Sequence, residues 1–147
     1  CLQQPGPERR SGQVSLYVDS SALLKRYIAE PESDVCEGYL LADPIWITAR
    51  HTCVEVRRNL PRLLAGPALA EARAEFEHDW QRMHVVALDE TTCDIAADLA
   101  ELTGARTLDA LHLAAASRVG KGAITMLTFD IRQAQAARAV GLSVVGA

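Results

Sequence analysis

The sequence has no long apolar run, no paired cysteines and no excess of positive charge, and each absence excludes a class of protein. Its apolar stretches are short and interrupted by charged residues, which excludes a membrane-spanning helix. Its four cysteines are scattered without a C-x-x-C pair, which argues against a disulfide framework. No basic and apolar secretory pattern opens the chain, so we expect a cytoplasmic protein.

The formal net charge of −4 at first argues against a nucleic-acid partner, because phosphate contacts normally require a basic surface. Arginine, however, makes up nearly all of the basic residues, and its guanidinium group suits bidentate phosphate contacts. Carboxylates that bind a metal cation also lower the net charge of an enzyme, although the site itself is positive once the cation is bound. Net charge therefore leaves the class of partner open.

The 147 residues are sufficient for one domain with a sizeable core, and 49% of them are hydrophobic. Residues 1–13 are polar, contain proline and glycine and show no hydrophobic period, which predicts a flexible leader or a cloning remnant. We therefore expect a single globular domain over residues 14–147.

Five segments have the pattern of short strands, namely 14–18, 45–48, 85–88, 124–129 and 142–145. Segments of helical period separate them, and Gly66-Pro67 is expected to end the helix that follows the second strand. This alternation predicts an α/β fold, with a central parallel five-stranded sheet and helices on both faces. Two consecutive helices lie between the third and fourth strands, so one of them must cross the sheet.

Four acidic residues are expected at one edge of this sheet. Asp19 ends the first strand, Asp130 ends the fourth, Glu55 lies in the helix after the second strand and Asp109 opens a helix. Ligands of parallel sheets bind beyond the carboxyl ends of the strands. Gathered carboxylates repel one another unless a divalent cation lies among them, and oxygen ligands without histidine or cysteine favour Mg²⁺ or Mn²⁺. Taken singly, Asp19 and Asp109 could instead be helix N-caps.

Four motifs resemble those of the PIN-domain ribonucleases. The segment V-D-S-S-A-L-L-K (18–25) is similar to the opening motif, V-E-V (54–56) to the second and T-F-D (128–130) to the fourth. The segment L-D-A-L-H-L-A-A-A (108–116) is very similar to the third and is the most specific match. The resemblance spans 14–146, and its order and spacing suit the VapC-like toxins of type II toxin–antitoxin systems.

This resemblance implies an Mg²⁺- or Mn²⁺-dependent endoribonuclease, a toxin that cleaves cellular RNA and inhibits translation or growth. Asp19 and Asp109 would be the principal metal ligands, and Glu55 and Asp130 would complete the catalytic site directly or through water. The family also implies a VapB-like antitoxin partner and a homodimer.

Several neighbours of the acids are candidates for supporting roles. Ser20 and Thr128 adjoin acidic residues and could orient a carboxylate or water, although ordinary capping explains them equally well. Arg50, Arg57 and Arg58 lie on or just before the Glu55 helix and could contact RNA phosphates or form a solvated face.

Two histidines are open to several interpretations. His112 lies one turn beyond Asp109, where a general base is conceivable, but a buried structural imidazole is the favoured interpretation. His51 and Cys53 form an H-x-C pair, which we interpret as a surface imidazole and a free thiol rather than a zinc site.

Three alternative functions fit the sequence less well. A phosphatase of the haloacid-dehalogenase class requires a second aspartate two residues after the first, where this chain has Ser21. A structure-specific DNA nuclease usually carries DNA-clamping insertions, and no segment here is long enough. A non-catalytic PIN-like RNA-binding module would be expected to have lost one or more of the four acids, and all are present.

Overall fold

The computed structural model describes residues 15–147, so the predicted leader over 1–13 lies outside the described residues. The strands are β1 (Ser15–Val18), β2 (Trp46–Ala49), β3 (His84–Val86), β4 (Ile124–Thr128) and β5 (Ser143–Gly146). The helices are α1 (Ser20–Tyr27), α2 (Ser33–Ala42), α3 (Thr52–Leu63), α4 (Gly66–Trp80), α5 (Glu90–Thr103), α6 (Thr107–Val119) and α7 (Ile131–Ala139).

The five strands form one sheet in the order β3-β2-β1-β4-β5, and every neighbouring pair is parallel. The predicted α/β fold with a parallel five-stranded sheet is therefore confirmed. The central strand β1 is buried along its whole length, as expected for a parallel sheet covered on both faces. All five strands point the same way, so the residues that follow them lie along one edge.

Helices cover both faces of the sheet. One core cluster includes Leu23, Val56 and Phe76 from α1, α3 and α4, and a second includes Leu113 and Ala137 from α6 and α7. The helix that crosses the sheet is α6, because it packs against both β2 and β4, which flank β1, while α5 packs against α6.

Two local predictions differ from the structure. Helix α3 ends at Leu63, close to the predicted end, but Gly66-Pro67 forms the start of α4, where glycine can adopt the observed φ of 58° and proline is tolerated in a first helical turn. Helix α6 begins at Thr107, so Asp109 lies inside its first turn and not at its opening residue. The α6 cap position is Arg106, and the cap alternative for Asp109 is therefore also wrong.

Over residues 15–147, the structure contains no helix whose length and apolar character would allow it to span a bilayer.

Candidate active site

Asp19 lies directly after β1 and is almost fully buried, with 4% of its surface exposed. One carboxylate oxygen caps α1, since it accepts hydrogen bonds from the Ala22 N–H (3.0 Å) and the Ser21 hydroxyl (2.7 Å). The other oxygen accepts a hydrogen bond from the Thr128 hydroxyl. A carboxylate offers about four lone-pair positions, so one on this second oxygen is still available for a cation. Capping and metal binding are thus compatible at Asp19.

Asp109 experiences the negative charges of the other three acids. Burial raises the pKa of the Asp109 carboxyl above its ordinary value, and the charge of Asp130 raises it further. Smaller increases come from Asp19 and Glu55, whereas His112 acts in the opposite direction. The four acids predicted from the sequence thus lie near enough for their charges to act on Asp109, although within residues 15–147 no three of them bring their oxygens within 4.8 Å of one another.

Asp130 lies two residues after the end of β4 and is the N-cap of α7. Its side chain accepts hydrogen bonds from the N–H groups of Arg132 (2.9 Å) and Gln133 (3.2 Å). Only Oδ1 is used in these two bonds, and the residue is exposed. Its remaining oxygen can therefore contact a ligand without loss of the cap.

Glu55 is held by hydrogen bonds to one of its two carboxylate oxygens. Its Oε1 accepts a bond from the Ser20 hydroxyl at 2.6 Å and lies 2.9 Å from His112 Nε2 and 3.4 Å from His51 Nε2. Burial acts to raise the pKa of Glu55, but the His112 and Ser20 hydrogen bonds outweigh it and lower the pKa below its ordinary value. Glu55 is thus an oriented anion.

The expected burial of His112 is confirmed, since 2% of its surface is exposed. Its Nδ1 lies 2.8 Å from the hydroxyl of Tyr17. Burial raises the pKa of Tyr17 well above its ordinary value, as do the charges of Asp19 and Glu55, so the phenol keeps its proton. Tyr17 can then donate to Nδ1, which leaves the Nε2–H of His112 directed at Glu55.

The expectation that His51 is a surface imidazole is wrong, because α6 covers it. Its ring lies 4.1 Å from the ring of His112, and its Nε2–H donates to the Leu108 carbonyl at 3.1 Å. Burial lowers the pKa of His51 to about 4, with a further decrease from His112. Cys53 is a free, partly buried thiol, as expected.

The expectation of a site without convergent histidine is also wrong. In the part of the chain that the structure describes, one group of three metal-ligand side chains has its donor atoms within 4.8 Å of one another, and its members are His51, Glu55 and His112. The sequence contains a signal for it. His51 precedes Glu55 by four residues and His112 follows Asp109 by three, and both spacings place side chains on one helix face.

Ser20 and Thr128 both contact carboxylates, although the hydroxyl of Ser20 contacts Glu55 and not the adjacent Asp19. The Ser20 hydroxyl binds Glu55 across the site, while Thr128 binds Asp19 and accepts the Asp130 N–H at 3.2 Å. Both hydroxyls therefore hold acids in place.

The arginines predicted to bind RNA lie apart from Asp109 and Asp130. Arg57 and Arg58 are exposed and line a groove of about 700 Å³ formed by residues of α3 and α4. Arg50 is also exposed, and its guanidinium lies 5.7 Å from the centre of the Trp80 ring. None of the three lines the groove that contains Asp109 and Asp130.

That second groove has a volume of about 590 Å³ and is formed by the end of α5, the start of α6 and α7. Its walls carry the acids Asp109 and Asp130 together with the cations Arg106 and Arg132. Sequence analysis did not identify these two arginines, although they lie three residues before Asp109 and two after Asp130.

Residues 16–139 match the model of the PIN domain. The chain belongs to the PIN-domain family. A curated relative, ribonuclease VapC46 from Mycobacterium tuberculosis, is 33% identical over 133 residues, which is 90% of this chain and 97% of the relative.

Solved structures show the same fold at lower sequence identity. VapC20 from M. tuberculosis, described as a toxin that cleaves the sarcin–ricin loop, superposes with a TM-score of 0.64 at 18% identity, covering 83% of this chain and 95% of that one. A toxin–antitoxin complex from Klebsiella pneumoniae superposes with a TM-score of 0.63 at 14% identity, covering 79% and 87%.

Proposed function

We propose that this protein is a divalent-metal-dependent endoribonuclease and the toxin of a VapBC-type pair. The observation that carries the proposal is that Asp19 and Asp130 follow neighbouring parallel strands and that the charges of Asp19, Glu55 and Asp130 all act on Asp109, in a chain related over nearly its whole length to a ribonuclease. The four acids are proposed as the catalytic set.

The residues present fit a divalent cation. The mutual repulsion felt at Asp109 would be relieved by a positive ion, and Asp19 keeps a free lone pair on an otherwise satisfied carboxylate. Asp19 and Asp109 would be the principal ligands, with Glu55 and Asp130 binding directly or through water.

The Nε2 atoms of His51 and His112 are already engaged by the Leu108 carbonyl and by Glu55. The proposed ligands are therefore oxygen atoms, which favour Mg²⁺ or Mn²⁺, and we propose one of these. When bound, the ion would polarise the phosphate and lower the pKa of an attacking water.

The residues around the acids orient these ligands. The hydroxyls of Ser20 and Thr128 fix Glu55 and Asp19, and His112 contacts the same oxygen of Glu55 as Ser20 does. Since Nε2 of His112 points its hydrogen at Glu55, we assign this imidazole to the support of Glu55 and not to proton abstraction from water. Ligands held in this way need little rearrangement when the substrate arrives.

We propose a VapB-like antitoxin, a second copy of this chain and cellular RNA as partners, and the cytoplasm as the location. A related fold occurs in the Klebsiella toxin–antitoxin complex. Helix α2 exposes Val35, Tyr39 and Leu41, apolar side chains that a protein partner could cover.

The test is cleavage of RNA by the purified protein. RNA should be cut in Mg²⁺ or Mn²⁺, and EDTA should stop the reaction. A DNA of the same sequence and secondary structure should stay intact under these conditions. Equal cleavage of the DNA would instead support a DNA nuclease, and binding without cleavage would support a non-catalytic module.

A further inference from the structure

We propose that the groove between the start of α6 and α7 binds one or two unpaired nucleotides of RNA, with Arg106 and Arg132 as contacts to the phosphates. This inference rests on the proposed ribonuclease function and deepens it, since it states which part of the surface holds the strand and what form the strand has.

The first observation is the position of the groove. Two of the four acids, Asp109 and Asp130, line it, and both contribute to the charge repulsion at the edge of the sheet. A strand whose phosphate lies at these acids must place its neighbouring nucleotides in or along this groove. The groove that contains Arg57 and Arg58 shares no lining residue with it.

The second observation concerns the charges. Arg106 and Arg132 are exposed, and within residues 15–147 neither side chain forms a salt bridge or a hydrogen bond, although both share the groove with two carboxylates. By contrast, the Arg118 guanidinium binds Asp89 at 2.7 Å. An unengaged guanidinium can make a bidentate contact to phosphate without first breaking another bond.

The third observation is the size of the groove. A volume of about 590 Å³ lies within the roughly 300–1,000 Å³ typical of sites for small ligands, which suits one or two unpaired nucleotides better than the much larger surface of a duplex. Proteins read single-stranded RNA by stacking bases on aromatic rings or guanidinium planes. No aromatic residue lines this groove, so Arg106 and Arg132 are its candidates for stacking as well.

The groove is also built on fixed backbone. The buried side chain of Gln133 in α7 donates a hydrogen bond to the Asp109 carbonyl in α6 at 3.2 Å, which joins its two walls. No side chain caps α6 at Arg106, so N–H groups of its first turn are available to a phosphate beside the guanidinium.

The test measures binding without cleavage. A fluorescent hairpin RNA with a long unpaired loop is titrated with the Asp19→Asn protein, in which a proposed ligand is removed, and affinity is followed by anisotropy at several salt concentrations. Adding Arg106→Gln or Arg132→Gln should weaken binding roughly threefold to tenfold and reduce the slope of log K against log salt by about 1. Arg82→Gln, which removes an exposed arginine outside the groove, is the matched control and should change neither quantity.

The inference is overturned if both groove variants bind with unchanged affinity and salt slope, or if only Arg57→Gln and Arg58→Gln weaken binding. It is also overturned if a fully paired version of the RNA binds as tightly as the loop. Failure of the proposed nuclease function is a separate result, namely no metal-dependent RNA cleavage by the unmodified protein, and these binding measurements do not depend on it.

Discussion

The hydroxyl of Tyr17 lies 2.8 Å from Nδ1 of His112, and this contact links the central strand to the acidic site. The opposite nitrogen of the same imidazole lies 2.9 Å from the Glu55 carboxylate. A buried donor thus fixes the tautomer of the histidine, and the histidine fixes the carboxylate. Glu55 can therefore be affected by Tyr17, a residue that it does not contact itself.

Tyr17→Phe should weaken both the fold and the site. The variant leaves Nδ1 of His112 buried without a donor, which costs about 1–3 kcal/mol of the free energy of unfolding. The imidazole also loses its fixed tautomer, so we expect weaker Mn²⁺ binding and slower RNA cleavage. Urea unfolding and calorimetric Mn²⁺ titration measure the two effects. Tyr39→Phe, at an exposed tyrosine, is the control, and equal Mn²⁺ affinity in both variants would contradict the orienting role.

The positions of the acids could be predicted because each depends on local pattern. Asp19 and Asp130 lie within two residues of the ends of apolar strands, and the carboxyl ends of parallel strands share an edge whatever the packing. The most specific motif also placed Asp109 correctly on a helix. These predictions required only the type of each element and the direction in which its strand or helix runs. The period of the hydrophobic residues supplies this information.

The histidine cluster and the arginine groove depend on tertiary packing instead. His51 is buried because the first turn of α6 lies over it, as its bond to the Leu108 carbonyl shows. That contact follows from the path of α6 across the sheet, which the sequence pattern left open. Arg106 and Arg132 come together only when α6 and α7 are placed side by side.

The buried state of His51 should make stability fall as pH falls. Its folded pKa of about 4 lies below the ordinary value of 6.5, so the unfolded chain binds more protons between these two values. The contribution of His51 to the free energy of unfolding should therefore decrease from pH 6.5 towards pH 4, by roughly 2–3 kcal/mol. Glu55 acts in the same direction below its ordinary pKa of 4.5, whereas the raised pKa values of Asp19 and Asp109 act in the opposite direction, so the contribution of His51 is read from the difference between the unmodified protein and a His51 variant.

Chemical denaturation in EDTA across this pH range measures the slope of the free energy of unfolding against pH. His51→Gln should flatten it, whereas His84→Gln, at an exposed histidine, should leave it in place. An unchanged slope in the His51 variant would mean that another group is responsible for the loss of stability.

Asp79→Ala should destabilise the protein without changing its chemistry. The buried Asp79 accepts hydrogen bonds at 2.7 Å from both Arg26 Nε and the Tyr27 hydroxyl, and thereby joins α4 to α1. Removing one partner of a largely buried charge pair typically lowers the free energy of unfolding by about 3–5 kcal/mol. Because Arg26 keeps its contact with Glu37, we expect a loss at the lower end, about 3 kcal/mol. Thermal unfolding should show this loss, with exposed Asp98→Ala as control, while the folded variant cleaves RNA at the normal rate.

Asp109→Asn offers the sharpest test of the metal site, because its two expected effects have opposite signs. Burial and the charge of Asp130 raise the pKa of Asp109, which means that its ionised form is less favourable in the folded protein than in the unfolded chain. Neutralising it should therefore raise the free energy of unfolding in EDTA, by about 0.5–2 kcal/mol. Mg²⁺ or Mn²⁺ should stabilise the unmodified protein by mass action and the variant much less.

Asp19 provides the comparison that separates repulsion from local structure. Burial raises the pKa of the Asp19 carboxyl as well, but this carboxylate also accepts hydrogen bonds from Ala22, Ser21 and Thr128, and the amide of Asp19→Asn cannot accept all three. Asp19→Asn should therefore gain less stability in EDTA than Asp109→Asn, although it should lose the response to Mn²⁺ in the same way. Melting curves of the three proteins with EDTA and with millimolar Mn²⁺ decide the matter. If Mn²⁺ raises the melting temperature of all three proteins equally, neither aspartate is a ligand. The ion would then bind at a site that both substitutions leave intact.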